Sequence, residues 1–344
     1  MRIDKRLLVW GSLLLFFFTV AVITNPLVSW SRYLMMPESI GNRDFMNKLL
    51  IDTPSKRIDV LIIGASVSWS SVSAIEIQNR LRKELGTDVT VLNLSSNWRG
   101  ENLYHELLKR VLEKHNVGIV LFDPPNFPQA TGRPHPLSLY FQSEFPLEGN
   151  ITASNLIDVA RYQLIDLLRL VPKLQETYIN YSVPDSPALS NTNGSLQVDR
   201  WMTDGEYNSD NLEVSKFLLD GGEILKQQPI ISYLDKPVHS HDRRYFEAIV
   251  DLVQQYSTLS LLHVPMLEDA DQQSIQLSSY FQKFIVGKKI PIFGLSGSDL
   301  TKGKGLKSKM LYYDNIHMNS LGAKIMGAAI GAQLSVHLKT KNKN

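Results

Sequence analysis

From residue 58 onward, short runs of consecutive apolar residues alternate with longer stretches in which apolar positions recur every three or four residues. The short runs, bounded by Gly, Pro or polar residues, predict strands buried on both faces. The longer stretches predict helices with one buried stripe. Residues 58–63 (IDVLII), 89–94 (VTVLNL) and 118–122 (GIVLF) read as three strands, with helices over 71–85 and 101–115 between them. Gly86 closes the first helix, and Pro124-Pro125 stops the third strand. After a long interruption the alternation resumes. A helix over 243–256 leads to a strand over 259–264 closed by Pro265, then come a helix over 272–286, a short strand over 290–293 and a last helix over 320–338. Strand and helix alternating in this way predict an α/β domain, a parallel five-stranded sheet flanked by helices on both faces. Chemistry in such sheets gathers at the carboxyl ends of the strands. Ser66, the 93–100 turn, Asn126 and the 314–317 loop all fall at that edge.

Two segments depart from the alternation. Residues 7–24 carry no charge and, with residues 25–30, are long enough to cross a bilayer core of about 30 Å at roughly 1.5 Å per residue. Arg2, Lys5 and Arg6 precede this span against only Asp4, so the positive-inside bias puts the N-terminus in the cytoplasm and the rest outside the membrane. The expectation is a single-pass anchor with a periplasmic or extracellular domain. A cleaved signal peptide is the rival, disfavoured by the length of the run and the lack of a small-x-small cleavage site. Residues 127–240 form the second departure. Residues 153–175 have a helical apolar rhythm, and 181–211 are rich in Ser, Asn, Asp and Gly. An insertion after the third strand is expected to cap the carboxyl edge, its apolar stripe packing on the sheet domain or docking at the membrane. The predicted organisation is therefore 1–30 stub and anchor, 31–57 connector, 58–338 catalytic-type domain with insertion 127–240, and 339–344 a basic, disordered tail.

Composition narrows this picture only a little. The chain has 344 residues, 43% hydrophobic and 20% charged, with a formal net charge of +2, so there is no global electrostatic case for nucleic acid. Cysteine is absent, which excludes disulfides, thiolate catalysis and cysteine-bound metal. His239 and His241 could face one side of an extended segment, but no further ligand stands nearby, and no metal or other cofactor is expected. Lys302, Lys304, Lys307 and Lys309 read as a solvated loop, or else as a guide for an anionic glycan or headgroup.

The candidate chemistry lies in two short motifs. Gly64-Ala65-Ser66 follows the first strand, where small neighbours allow a sharp turn that exposes a hydroxyl at the start of a helix. Asp314-Asn315-Ile316-His317 opens the last helix. A serine becomes a nucleophile when a base takes its proton, and the base needs a carboxylate to hold its tautomer. The competing readings are an ordinary N-cap serine and an Asp–His capping pair. Ser68, Ser70 and Ser71 are alternative hydroxyls deeper in the same helix.

With these residues in place, the chain resembles the SGNH (GDSL-type) hydrolase superfamily over residues 58–126 and 243–333. Gly64-Ala65-Ser66 matches its first block. Asp314-Asn315-Ile316-His317, with Asn319 and Gly322, matches its last. Asn126 matches the asparagine after the third strand, and Gly100 the glycine after the second. The resemblance implies a flavodoxin-like three-layer fold with Ser66 as nucleophile, His317 as base and Asp314 as its orienting carboxylate. It further implies an oxyanion hole of the Ser66 N–H, the Gly100 N–H and the Asn126 side chain. Two departures stand out: Pro124-Pro125-Asn126-Phe127 replaces Gly-Gly-Asn-Asp, and Gly100 lies far from Asn93. Ser95, Ser96 or Asn97 therefore compete with Gly100 for the second donor.

The anchor and the insertion make the chain similar to the cell-envelope branch of that superfamily, the alginate-type O-acetylation and lipoteichoic-acid D-alanylation proteins. This likeness implies a membrane-anchored acyl-ester enzyme acting on a glycan or polymer acceptor, beside a membrane-bound O-acyltransferase partner. Transfer to a sugar hydroxyl is favoured over hydrolysis, because an anchor holds the site near a membrane donor. A catalytically weak glycan-binding scaffold is the alternative, drawn from the altered 124–127 block, and a generic lipase is the third.

Overall fold

The structure, a computed structural model, describes residues 10–13, 54–96, 100–124, 195, 230–233, 240–302 and 305–341. Five strands, β1 (Arg57–Ile63), β2 (Val91–Asn93), β3 (Asn116–Phe122), β5 (Thr258–His263) and β7 (Ile292–Gly294), form one sheet in the order β2-β1-β3-β5-β7. Every pairing in it is parallel. The predicted α/β class and five-stranded parallel sheet are thus present. The chain winds first to β2 on one side of β1, then crosses to β3 on the other, so the order reverses at the β1–β3 seam. At such a switch point the loops leave in opposite directions and open a crevice at the carboxyl edge.

The apolar runs form strands because both faces of the sheet are covered. Leu61 and Ile63 of β1 pack with Leu107 and Val111 of α3 (Glu101–Lys114) and with Phe246 and Ile249 of α4 (Ser240–Tyr256). Val60 and Ile62 face the other way, toward Ile77 of α2 (Ala74–Leu85) and Ile325 and Ile330 of α7 (Ser320–Lys341). Close approach of α7 to α2 uses small residues: a Cβ on Gly327 would stand 2.6 Å from the Ser73 carbonyl oxygen.

Several sequence expectations need correction. The helix expected over 71–85 is α2 and starts only at Ala74, after a separate short helix α1 (Ser66–Ser71) and a break at Val72 and Ser73, where the Ser73 Oγ accepts the Glu76 N–H as an N-cap. The helix expected over 272–286 begins as a strand. There β6 (Ile275–Ser278) pairs in parallel with β4 (Ile230–Tyr233) in a separate two-stranded sheet, and the helix α5 (Ser279–Lys288) follows. Thus the end of the insertion carries a strand that its sequence did not signal, because pairing with β6 supplies what local pattern lacks. Residues 339–341 are the end of α7, not a disordered tail: Lys339 Nζ reaches Glu84 Oε2 at 3.1 Å and Lys341 Nζ reaches Thr258 Oγ1 at 3.1 Å.

Among the described residues no helix is long and apolar enough to cross a membrane. The anchor expected over 7–24 lies outside them apart from the helical residues 10–13, as do most of the 31–57 connector and the insertion 127–240. Besides residues 230–233 and 240, one further insertion residue is described. Ser195 is buried, and its Oγ accepts the Ala74 N–H at 2.9 Å and lies 3.5 Å from the Asn93 amide, which ties the insertion to the start of α2.

Candidate active site

The turn from β1 into α1 brings Ser66 to the carboxyl edge beside the β1–β3 crevice. Ala65, not a serine, occupies the N-cap of α1, and no side chain caps that end. The Ser66 hydroxyl is therefore not spent on the helix. Its neighbours' hydroxyls are committed elsewhere. Ser68 Oγ donates to Asp123 Oδ2 at 2.9 Å, Ser70 Oγ to the Ser66 carbonyl at 3.0 Å, and Ser71 Oγ accepts the Met318 N–H at 3.0 Å. The Asn93 amide donates to the carbonyls of Ser68 and Val72, holding the far end of α1 against β2.

The second half of the site comes from the loop before α7. Tyr312 and Met318 form an antiparallel bridge, the Tyr313 N–H donates to the His317 carbonyl at 3.1 Å, and the Asn319 N–H to the Leu311 carbonyl at 3.0 Å. These bonds close residues 313–317 into a tight loop. Asn319 caps α7 by accepting the Gly322 N–H at 3.1 Å and donates to the Met310 carbonyl at 2.9 Å. Gly322 has to be small, since a Cβ there would collide with the Leu311 carbonyl oxygen. The loop is anchored to the end of β5 as well: Tyr312 Oη donates to the Pro265 carbonyl at 2.8 Å, and the Leu267 N–H to the Asn315 carbonyl at 3.1 Å.

Within this frame the predicted residues meet. His317 Nε2 lies 2.8 Å from Ser66 Oγ, and His317 Nδ1 lies 2.7 Å from Asp314 Oδ2. The other carboxylate oxygen, Asp314 Oδ1, accepts the backbone N–H groups of Ile316 at 2.8 Å and His317 at 2.7 Å. Burial pushes the Asp314 carboxyl up, but the His317 ring and these two N–H donors outweigh it and hold the group below its ordinary value. The carboxylate is ionised, so the ring nitrogen facing it carries the proton and Nε2 is left as an acceptor toward Ser66. The Tyr313 ring stacks on the imidazole with centroids 5.5 Å apart and 8° between planes. The His317 side chain is 16% exposed, and Ser66 beside it is half-buried.

The expected oxyanion donors divide. Gly100 is buried at the N-cap of α3, with its carbonyl accepting the Tyr104 N–H. The backbone N–H groups of two of its competitors are engaged elsewhere: the Ser95 N–H donates to Asn93 Oδ1 at 2.9 Å and the Ser96 N–H to the Gly64 carbonyl at 3.1 Å. Asn97 and Asn126 lie outside the described residues, as does His239. Among the described residues no group of three or more His, Asp or Glu side chains is placed to hold a metal ion.

Sequence reasoning passed over two residues that shape this site, Asn93 and Asp123. Each is a polar residue at or just after the last residue of a buried strand, and each is buried at the carboxyl edge. That position, a buried-strand terminus with a hydrogen-bonding side chain, is the signal that could have found them. No protein-family model matches this chain, and no curated protein matches it.

Proposed function

We propose that the protein is a serine acyl-ester enzyme working through an acyl-Ser66 intermediate. One observation carries this reading: the continuous hydrogen-bonded chain Ser66 Oγ–His317 Nε2 at 2.8 Å and His317 Nδ1–Asp314 Oδ2 at 2.7 Å. In the first step Ser66 Oγ attacks the carbonyl carbon of an acyl ester while its proton passes to His317 Nε2. The bond to the leaving alcohol then breaks, and His317 returns the proton to that alcohol. In the second step an acceptor hydroxyl gives its proton to His317 and attacks the acyl carbon, and Ser66 regains its proton as the acyl–Oγ bond breaks. Asp314 holds the ring in the required tautomer and stabilises the imidazolium formed in each step. The Ser66 N–H, the Gly100 N–H and the Asn126 side chain are the donors assigned to the oxyanion.

The acceptor is a sugar or polymer hydroxyl of the cell envelope, with water as the alternative acceptor in an esterase. Support comes from the resemblance of the Gly64–Ser66 and Asp314–His317 blocks to SGNH enzymes, and from the uncharged 7–24 span behind basic residues. That span would hold the domain outside the membrane, near a membrane-bound acyl donor or O-acyltransferase partner.

The test is covalent labelling. Ser66 Oγ displaces fluoride from the phosphorus of a fluorophosphonate, giving up its proton to His317, and the phosphonate ester formed is placed on the Ser66 peptide by mass spectrometry. Wild type is expected to take the label and Ser66→Ala to take none. Full labelling of Ser66→Ala moves the nucleophile elsewhere. A folded wild type that takes no label, yet retains an acyl-acceptor glycan whether or not Ser66 is present, favours the binding-scaffold reading.

A further inference from the structure

We infer that Asp123 is a positioning residue for the nucleophile, its buried carboxylate fixing the β1–α1 turn in the geometry that sets Ser66 against His317. This rests on the serine-enzyme reading above. Asp123 follows β3 directly, and its N–H donates to the Ile63 carbonyl at 3.1 Å, which carries the β1–β3 ladder to the floor of the crevice. The residue is 5% exposed, and its Oδ2 accepts the Ser68 hydroxyl at 2.9 Å. Between the two lies Gly64: a Cβ built there would stand 2.6 Å from Asp123 Cβ and 2.8 Å from Ser68 Oγ. The Asp123 and Ser68 side chains therefore fill the space over Gly64 and leave no room for a side chain on the backbone that turns into Ser66.

The need for such a tie follows from the helix itself. α1 spans only Ser66–Ser71, too short to be stable on its own, so its position is set by tertiary bonds. Asn93 holds its far end, and Ser71 joins it to Met318 beside the base. Asp123 is the tie on the β3 side. A buried hydroxyl–carboxylate pair is a poor way to add stability, because an apolar pair of the same shape can serve a fold equally well. What it adds is direction, since the bond fixes where Ser68, and with it Ser66 two residues earlier, can stand.

The experiment compares Ser68→Ala, Asp123→Ala, Asp123→Asn and the double alanine variant of the full chain. It reads the rate of fluorophosphonate labelling at Ser66, together with crystal structures of the variants. Each alanine variant is expected to lose about 10²-fold in rate, the scale of a misplacement of about 1 Å. The double variant is expected to lose no more than the worse single one, because both break the same tie. Asp123→Asn keeps an acceptor oxygen for Ser68 and is expected to recover to within about tenfold of wild type. In the alanine crystals Ser66 Oγ should sit out of hydrogen-bond reach of His317 Nε2. Alanine variants that keep both the wild-type rate and the contact overturn the proposal, as do losses that multiply in the double variant or an Asp123→Asn as slow as Asp123→Ala. If Asp123→Ala does not fold, Ser68→Ala carries both readouts. If wild type takes no label, it is the enzyme reading that fails, and the Ser66–His317 separation in the Ser68→Ala crystal still decides the positional claim.

Discussion

Replacing Asp314 by Asn separates the two duties of that carboxylate. Oδ1 accepts the N–H groups of Ile316 and His317, and Oδ2 faces His317 Nδ1. An Asn side chain has a single acceptor oxygen. Two backbone donors hold that oxygen in the Oδ1 position, so the amide NH2 turns toward His317 Nδ1. A donor there requires Nδ1 to be unprotonated, which places the ring proton on Nε2. His317 would then donate to Ser66 instead of accepting its proton, and the nucleophile would lose its base. In serine hydrolases the wrong tautomer costs about 10⁴ in rate, equivalent to about 5 kcal/mol of barrier. Removing the base altogether in His317→Ala is expected to cost about 10⁶, so Asp314→Asn should be the milder of the two. The fold should hardly notice the amide, because the two caps survive. Asp314→Ala loses them and should unfold with about 1–2 kcal/mol less stability. The assay is the rate of chromophore release from a short acyl ester, with urea unfolding of the same samples. An Asp314→Asn rate within tenfold of wild type would refute the tautomer argument. So would Asp314→Asn and Asp314→Ala losing stability equally.

Three further outcomes follow from the packing. Burial pushes the His263 imidazole down to about 4 from 6.5, so between those values the unfolded chain binds more protons than the folded one. Stability is then complete above about pH 6.5 and falls as the pH drops toward 4, by about 2 kcal/mol at pH 5. Urea unfolding at pH 7.5 and pH 5 should reveal that loss in wild type, and His263→Leu should flatten it. A variant with the wild-type pH slope would place the titration elsewhere. Gly327→Val drives a side chain into the Ser73 carbonyl and should destabilise by about 1–3 kcal/mol. Gly287→Ala, whose Cβ meets nothing within 4 Å, should cost nothing in the same assay, and equal losses would show that the α7–α2 contact does not govern the effect.

How much of this was legible depends on where each feature's cause lies. The five sheet strands were read from apolar runs, because a strand covered on both faces must be apolar whatever its neighbours are. The last helix and its entry were read well for a similar reason. Asn319 as cap and Gly322 under the Leu311 carbonyl are local demands that leave local marks. The break between α1 and α2 was missed because Ser70, Ser71 and Ser73 are tolerated in a helix. It is set by Asn93, which draws the Val72 carbonyl out of the helical ladder from twenty-one positions away. The β6 strand was missed for the same kind of reason, since its partner β4 lies across α4 and β5 in the chain. The competition for the second oxyanion donor could not be narrowed from sequence either. Only the structure commits the Ser95 and Ser96 N–H groups to Asn93 and Gly64.

The bland readings of the two motifs explain less than the geometry contains. A capping aspartate needs one oxygen on the N–H groups that follow it, and Asp314 Oδ1 meets that need for Ile316 and His317. It does not require the second oxygen to face an imidazole at 2.7 Å, nor that ring's far nitrogen to reach a hydroxyl 251 positions earlier in the chain. A capping serine likewise bonds to the helix it begins, yet α1 has Ala65 at its N-cap and no side-chain cap at all. Ser68, Ser70 and Ser71 each have a structural bond within or around α1, which leaves the Ser66 hydroxyl as the one pointed at a base. Structure alone could dispense with that contact. Its surroundings hold it from both sides, with Tyr313 stacked on the ring and Asn93, Ser71 and Asp123 gripping the helix. Fixing two groups from opposite directions at hydrogen-bond distance is what proton transfer between them demands, and what a mere cap does not.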